Sequence, residues 1–193
     1  ISKYGMFDGV SKVITMVLII LGGIGFIVIG EILRKGFNFK KYSLQAKIVI
    51  ITTISLLLLG TGIYYITANL SLFDSLFLSV STRTAGFSYF DLSTINNPGY
   101  LLSILLMLIG ASPSSTGGGI KTVTFFVLML AFYCICRKRQ YEVFGRSISK
   151  EIVNKCLVIL LASILVIFGA TFLISCFEPL LGIREIFFET VSA

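Results

Sequence analysis

The feature that most constrains the fold is a long apolar stretch that is interrupted near its middle. It covers residues 100–136, and its central residues 111–119 read ASPSSTGGG. As one α-helix the stretch would be about 55 Å long, whereas the hydrocarbon core of a bilayer is about 30 Å thick. Proline removes a backbone donor inside a helix, and each glycine costs up to about 1 kcal/mol relative to alanine. The pattern therefore predicts two half-helices joined by irregular backbone near the middle of a membrane.

Irregular backbone at that depth is tolerated only where protein buries it or water reaches it, so residues 111–119 are a candidate for lining or gating a pathway. Four apolar runs in the chain are long enough to cross a bilayer, and 56% of the residues are hydrophobic. The chain has no histidine, which removes the commonest metal ligand and the usual general base. We therefore predict an all-α polytopic membrane protein.

The basic residues predict how the chain crosses the membrane. Residues 34–47 carry five basic side chains and no acidic one, and residues 137–155 carry six basic and two acidic ones. The positive-inside rule places both loops in the cytoplasm. The spans then alternate in direction, at about 13–33, about 48–68, the interrupted stretch, and about 156–177. The net charge of +7 fits this topology better than it fits binding to nucleic acid.

Residues 22–25 in the first span read GGIG, and two explanations remain open. Small residues permit close packing between membrane helices. Alternatively, this point is a second break that matches the one at 111–119, because both lie about ten residues into an apolar run that ends in basic residues.

The connection between the second and third spans, residues 69–99, has the layout of a pore loop. Residues 72–81 form an amphipathic run too short to cross a bilayer, which predicts a re-entrant or interfacial half-helix. The sequence TRTAGF follows at 82–87, and Asn97 as N-cap with Pro98 opens the third span. The alternative is an interfacial helix followed by an ordinary turn.

The residue types suit a cation path. A short helix that enters from outside points its negative C-terminal end toward the bilayer centre, which favours a cation there. An extended strand after it can direct carbonyl oxygens at a dehydrated ion. Gly86 permits backbone angles that other residues avoid.

A partial internal repeat supports the pore-loop interpretation. Residues 183–193 align with residues 72–82, so that Phe188 matches Phe77 and Val191 matches Val80. Each run follows a span that leaves a basic loop. Channels and transporters are commonly built from such repeats.

Two motifs together carry a resemblance to a known family. The segments 82–87 (TRTAGF) and 110–122 (GASPSSTGGGIKT) resemble the third unit of the Trk/Ktr/HKT superfamily of potassium transporters. The continuation IKTVTF at 120–125 is more similar to the bacterial Ktr membrane subunit than to Trk.

The resemblance implies repeated units of span, pore loop and span. Residues 1–43 would be the second span of unit two with its cytoplasmic loop, and residues 44–148 the complete unit three. Residues 149–193 would be the first span and pore helix of unit four, ending before its filter. The chain would then be a fragment that cannot form a complete pore alone.

The resemblance also implies potassium transport, with K⁺ as the substrate, no organic cofactor and no enzymatic activity. Thr84, Ala85, Gly86 and Phe87 would form the selectivity filter, and the backbone carbonyls of the first three would bind K⁺. The loop that gates the path would consist of Ser112, Pro113, Ser114, Ser115, Thr116, Gly117, Gly118, Gly119 and Lys121. The implied partners are membrane lipid, a second copy in a homodimer and a cytoplasmic nucleotide-binding regulatory ring, all at the bacterial inner membrane.

Two charged residues need partners in such a site. We expect Arg83 to anchor the filter strand to an acidic neighbour, because an unpaired positive charge beside the path would repel a cation. Lys121 lies deep in an apolar stretch, where a charge is costly. We expect its partner to be a carbonyl at the C-terminus of a half-helix, or an acidic residue from a unit that lies outside this chain.

Three alternatives remain. The chain could come from a Na⁺ or Na⁺/K⁺ transporter of the same superfamily, or from a non-conducting structural membrane subunit. A membrane enzyme with residues 117–122 as a phosphate loop is disfavoured, because Ile120 separates the glycines from the lysine and the segment follows a span rather than a strand.

Overall fold

The computed structural model describes residues 9–36, 38–68, 70–83, 96–178 and 180–193. Within these ranges the chain is largely helical, which confirms the predicted all-α fold class. The helices are α1 (Gly9–Ile24), α2 (Phe26–Lys35), α3 (Leu44–Ala68), α4 (Leu72–Ser81), α5 (Asn97–Leu108), α6 (Thr122–Cys136), α7 (Lys150–Phe177) and α8 (Ile183–Ser192). A short antiparallel hairpin joins α6 to α7, with strands β1 (Glu142–Val143) and β2 (Arg146–Ser147).

The apolar helices fit a polytopic membrane protein. Among the described residues, α3 and α7 are each long and apolar enough to cross a bilayer. The predicted third span is broken as expected, because α5 ends at Leu108 and α6 begins only at Thr122. Each half of it is shorter than the about 20 residues that a full crossing requires.

The first span is not the single straight run that residues 13–33 predicted. Helix α1 ends at Ile24, α2 begins at Phe26, and the two helices are bent by 96°. Gly25 between them has a φ of +86°, a backbone conformation that only glycine adopts without strain. Of the two explanations for the GGIG motif, the structure therefore supports a helix break.

Helix α4 coincides with the predicted half-helix at 72–81, and its N-cap is Ser71, whose hydroxyl accepts a hydrogen bond from the Asp74 N–H at 3.1 Å. The cap of α5 differs from the prediction. It is Asn96 rather than Asn97, because the Asn96 side chain accepts the Gly99 N–H at 3.2 Å. Asn97 is already the first helical residue.

Helix α3 is the centre of the packing, because α4, α5 and α6 all contact it. One buried cluster joins three of these helices through Leu56, Tyr64, Leu78 and Leu106. A second cluster packs Phe77 and Val80 of α4 against Met16 of α1. Helix α4 is thus held between α1 and α3.

Helix α8 has the same length as α4, as the internal repeat predicted. It packs against α7 and α5. The rings of Tyr100 in α5 and Phe188 in α8 lie 5.2 Å apart. Helix α8 therefore packs against the first half of the broken span.

Candidate functional site

Helix α4 directs its C-terminal end into the protein. Its first residue, Leu72, is 66% exposed, whereas every residue from Phe77 to Ser81 at its C-terminal end is buried. The Thr82 hydroxyl donates to the Leu78 carbonyl at 2.8 Å and closes the last turn. The negative end of the helix dipole therefore lies in a buried place, directly before the predicted filter.

The opposite end of α4 is fixed by charge. The Lys12 ammonium of α1 lies 2.9 Å from a carboxylate oxygen of Asp74, and both side chains are mostly buried. Asp74 also accepts a hydrogen bond from the Ser71 hydroxyl at 2.8 Å. Sequence reasoning missed this ion pair, because the two residues are far apart in the chain.

The predicted filter residues Thr84, Ala85, Gly86 and Phe87 lie outside the described residues. The described chain ends at Arg83 on this side and resumes at Asn96. Arg83 directly precedes the predicted filter residues.

Arg83 connects this point to the broken span. A guanidinium N–H donates to the Gly110 carbonyl across 3.5 Å. Beside it lies a cavity of about 20 Å³, lined by α1, α3 and the start of the loop, including Gly23, Thr53 and Ala111. A cavity of this size holds about one water molecule. Arg83 thus connects the C-terminal end of α4 to the backbone at Gly110, where the break in the third span begins.

The break in the third span is a loop that closes on itself. The Gly110 N–H donates to the Ile120 carbonyl at 2.9 Å, and the Ile120 N–H donates to the Leu108 carbonyl at 3.0 Å. Inside this closure the Ala111 N–H donates to the Gly118 carbonyl at 3.3 Å. These backbone groups at the helix break are therefore satisfied inside the protein, as the membrane interior requires.

Two glycines make this closure possible. A side chain at Gly110 would overlap the Gly118 carbonyl oxygen. Gly119 has a φ of +73°, and a β-carbon there would lie 2.9 Å from the α-carbon of Gly110. Gly119 was among the predicted loop residues and Gly110 was not, because nothing in the sequence shows which glycine faces a close backbone.

The loop, residues 111–119, is docked against the break between α1 and α2. Ser112 is fully buried, and its N–H donates to the Gly23 carbonyl at 3.0 Å. The Phe26 N–H donates to the Ser114 carbonyl at 3.2 Å. The two breaks that the sequence placed at similar depth therefore lie in direct contact.

The remaining loop side chains have distinct environments. The Ser115 hydroxyl donates to the Ser112 carbonyl at 2.5 Å, which tightens the turn. Thr116 faces Gly22. Pro113 presents its carbonyl to Gly25. Ser114 is exposed and has a φ of +62°, an uncommon conformation for a residue other than glycine.

Lys121 has the kind of partner that its position predicted. Its ammonium donates to the Gly117 carbonyl at 2.6 Å, one turn back in the chain. The partner is a carbonyl of the loop itself rather than one at the end of a half-helix. Lys121 itself is half-buried.

A helix that stops inside the protein, beside a span that is broken by a self-closed glycine-rich loop, defines a polytopic membrane protein of the channel and transporter class. The family can be named more closely. A family model described as TrkH, cation transport protein, matches residues 50–193, and the chain belongs to this family.

Individual relatives agree with this assignment. The chain is 38% identical to the Ktr system potassium uptake protein B of Vibrio alginolyticus, over 91% of this chain and 42% of that protein. It is 39% identical to the Ktr system potassium uptake protein D of Bacillus subtilis, over 96% of this chain and 44% of that protein. It is 32% identical to the potassium/sodium uptake protein NtpJ of Enterococcus hirae, over 91% of this chain and 42% of that protein.

A solved structure shares the fold. The potassium transporter TrkH from Vibrio parahaemolyticus superposes with a TM-score of 0.72 at 20% identity, over 91% of this chain and 41% of that one. The chain thus spans less than half the length of each of these relatives.

Proposed function

We propose that the chain is part of the ion-translocating subunit of a K⁺ uptake system. Membership in a cation transport family supports transport rather than catalysis. Relatives named as potassium uptake proteins support K⁺ as the transported substrate. No organic cofactor is needed for such a path, because the ion is recognised by oxygen atoms of the protein.

The observation that carries the proposal is the buried C-terminal end of α4. Its negative dipole end favours a cation at the point where residues 84–87 begin. In the proposal, the carbonyls of Thr84, Ala85 and Gly86 replace the hydration shell of K⁺, and Phe87 completes the filter strand. Helix α4 positions that strand through its buried packing and the Lys12–Asp74 ion pair.

The gate of the path, in this proposal, is the loop from Ser112 to Gly119 together with Lys121. Its support is its position, because the Gly110 carbonyl at its start accepts a hydrogen bond from Arg83, which directly precedes the filter residues. The internal hydrogen bonds let the loop move as one body. The Lys121 ammonium would hold the loop compact through the Gly117 carbonyl.

The proposal extends to the whole protein. Residues 1–43 belong to unit two, residues 44–148 form unit three, and residues 149–193 begin unit four. The full subunit is a homodimer in lipid of the bacterial inner membrane, on a cytoplasmic nucleotide-binding regulatory ring. The relatives named as parts of a Ktr system support a multi-component assembly.

A second candidate is the transport of Na⁺ as well as K⁺. It is favoured by one relative, the potassium/sodium uptake protein at 32% identity. The two candidates differ in ion selectivity rather than in architecture, so one set of uptake measurements distinguishes them.

The test is uptake of K⁺ and Na⁺ by the full-length protein in cells that lack other K⁺ uptake. Wild type is compared with Gly86→Ser, which should lower the preference for K⁺ because the strand must distort. Gly169→Ser is the matched control, because Gly169 is exposed on α7 with open space at its β-carbon position. Saturable K⁺ uptake that loses selectivity only in Gly86→Ser supports the proposal. Comparable uptake of both ions by wild type favours the second candidate.

No uptake of either ion, with the protein present in the membrane, contradicts transport. Unchanged selectivity of Gly86→Ser removes Gly86 from the filter.

A further inference from the structure

The break between α1 and α2 leaves backbone groups that need hydrogen-bond partners. A helix end exposes its last carbonyls and its first N–H groups, and the membrane interior offers no water to satisfy them. Here these groups include the carbonyls of Gly23 and Ile24 and the N–H of Phe26. All three have partners on loop 111–119.

Two serines of the loop supply those partners. The Ser112 N–H donates to the Gly23 carbonyl at 3.0 Å, and its hydroxyl donates to the same oxygen at 2.6 Å. The hydroxyl also reaches the Ile24 carbonyl, and its single proton can serve one of the two oxygens at a time. The Ser114 carbonyl accepts the Phe26 N–H at 3.2 Å. The loop thus supplies hydrogen-bond partners to both helix ends at the break.

The fit depends on the absence of side chains at the break. A β-carbon at Gly25 would lie 2.7 Å from the Pro113 carbonyl oxygen and 3.0 Å from that of Ser114. One turn earlier, a β-carbon at Gly22 would lie 3.6 Å from the Thr116 hydroxyl, which is ordinary contact. The glycine-rich segment therefore forms a surface that is complementary to the loop.

Two sets of hydrogen bonds hold the loop, in addition to the bond from Arg83 to the Gly110 carbonyl at its start. One set is internal and joins Gly110 to Ile120, Ala111 to Gly118, and Lys121 to Gly117. The other set joins the loop to α1 and α2. Movement of the loop as one body would break the second set and leave the first intact.

We infer that the glycine break between α1 and α2 is the docking site of loop 111–119 in its closed position, and that opening requires the loop to leave this site. The inference rests on the proposed role of the loop as the gate. It gives the first span a regulatory role, because any shift of α1 or α2 changes how firmly the closed loop is held.

A reversible cross-link between the two partners tests this inference. Gly22→Cys and Thr116→Cys are combined in the full-length protein with its native cysteines replaced by serine. A β-carbon at Gly22 would lie 3.6 Å from the Thr116 hydroxyl oxygen, which stands where the sulfur of a cysteine at 116 would lie, so the two side chains are within reach of a disulfide. K⁺ flux is measured in proteoliposomes before oxidation, after oxidation and after reduction. The single variants, which cannot form the bond, control for oxidation itself.

We expect the reduced double variant to carry K⁺ and oxidation to lower its flux at least about tenfold, with recovery on reduction. A verified cross-link that leaves the flux unchanged overturns the inference, because the loop then opens without leaving the break. Failure of the cross-link to form also overturns it. A reduced double variant and single variants that all carry no K⁺ would instead count against the proposed transport function.

A second variant tests the hydrogen bonds directly. Ser112→Ala removes the hydroxyl and keeps the N–H bond to Gly23. We expect the K⁺ flux to rise about two- to tenfold, which is the effect of one net hydrogen bond on a closed–open equilibrium. Ser163→Ala is the control, because the Ser163 hydroxyl donates within its own helix α7, to the Ile159 carbonyl at 2.8 Å. Flux of Ser112→Ala that is unchanged or lower contradicts the docked closed state.

Discussion

Lys12 in α1 and Asp74 in the first turn of α4 form an ion pair, with Nζ of the lysine 2.9 Å from a carboxylate oxygen. The N-terminal part of α1 therefore contacts α4. Near the C-terminal end of α1, the Gly23 carbonyl accepts hydrogen bonds from Ser112 of the loop. One helix thus connects the two parts of the site that the sequence separates by more than thirty residues.

The first prediction concerns this ion pair. Asp74→Asn removes the charge and keeps a side chain of the same shape, so the partly buried Lys12 loses its counter-charge. We expect a loss of about 1–2 kcal/mol in stability, measured by thermal unfolding of the purified protein in detergent. Glu185→Gln is the control, because Glu185 holds the corresponding place in the first turn of α8. Equal losses in the two variants would contradict a specific role of the pair.

The second prediction concerns the buried contact between α3 and α5. The hydroxyl oxygens of Tyr64 and Ser103 lie 2.7 Å apart, and Tyr64 is fully buried. Tyr64→Phe should destabilise the protein by about 1 kcal/mol, which is the net value of a typical hydrogen bond. Tyr65→Phe makes the same change at a neighbour that is 52% exposed, and should cost less than about 0.5 kcal/mol. The ratio of the two losses is measured by chemical or thermal unfolding.

The third prediction concerns the break in the first span. Gly25→Ala forces a left-handed φ on alanine and places its β-carbon against the Pro113 carbonyl. We expect a loss of at least about 1–3 kcal/mol, from backbone strain alone. Gly23→Ala, two residues earlier, lies in a helix with open space at its β-carbon position and should be close to neutral. Membrane-inserted yield and thermal stability would show the difference, and similar values for both variants would contradict it.

The fourth prediction concerns the loop itself. Deletion of residues within 112–118 should raise K⁺ flux through the full-length protein, because a shorter loop can neither dock at the α1–α2 break nor close the path. The amount of protein in the membrane is measured in parallel. A loop that only packs would instead lower expression or flux when it is shortened.

The local pattern was sufficient to predict α4 and the broken third span. The run from Leu72 to Ser81 is amphipathic and too short to cross a bilayer, so a half-helix was expected there, whether re-entrant or interfacial. The break at 111–119 was equally constrained, because proline and three consecutive glycines oppose a helix. In both cases the residues that determine the local structure lie within about a dozen positions of one another.

Features that depend on distant partners could not be predicted in this way. The choice of Asn96 over Asn97 as the α5 cap depends on where the helix begins after the connection, and two adjacent asparagines do not specify it. The GGIG motif allowed both packing and a break, and contact with Ser112 and Ser114 distinguishes them. Which glycine faces a close backbone, as Gly110 does, appears only in three dimensions.

The 96° corner between α1 and α2 determines the direction in which a force can act on the loop. A slide of α2 along its own axis moves Phe26 sideways relative to α1. The bond from Phe26 to Ser114 is 3.2 Å long, and a displacement of a few tenths of an ångström weakens such a bond markedly. At its far end α2 is tied to the start of α3, where Glu31 accepts the N–H of Ser43 at 3.0 Å and its hydroxyl at 2.7 Å. A small displacement of the connection between α2 and α3 along the axis of α2 is therefore expected to weaken the hydrogen bond between Phe26 and Ser114. This requires no movement of α1.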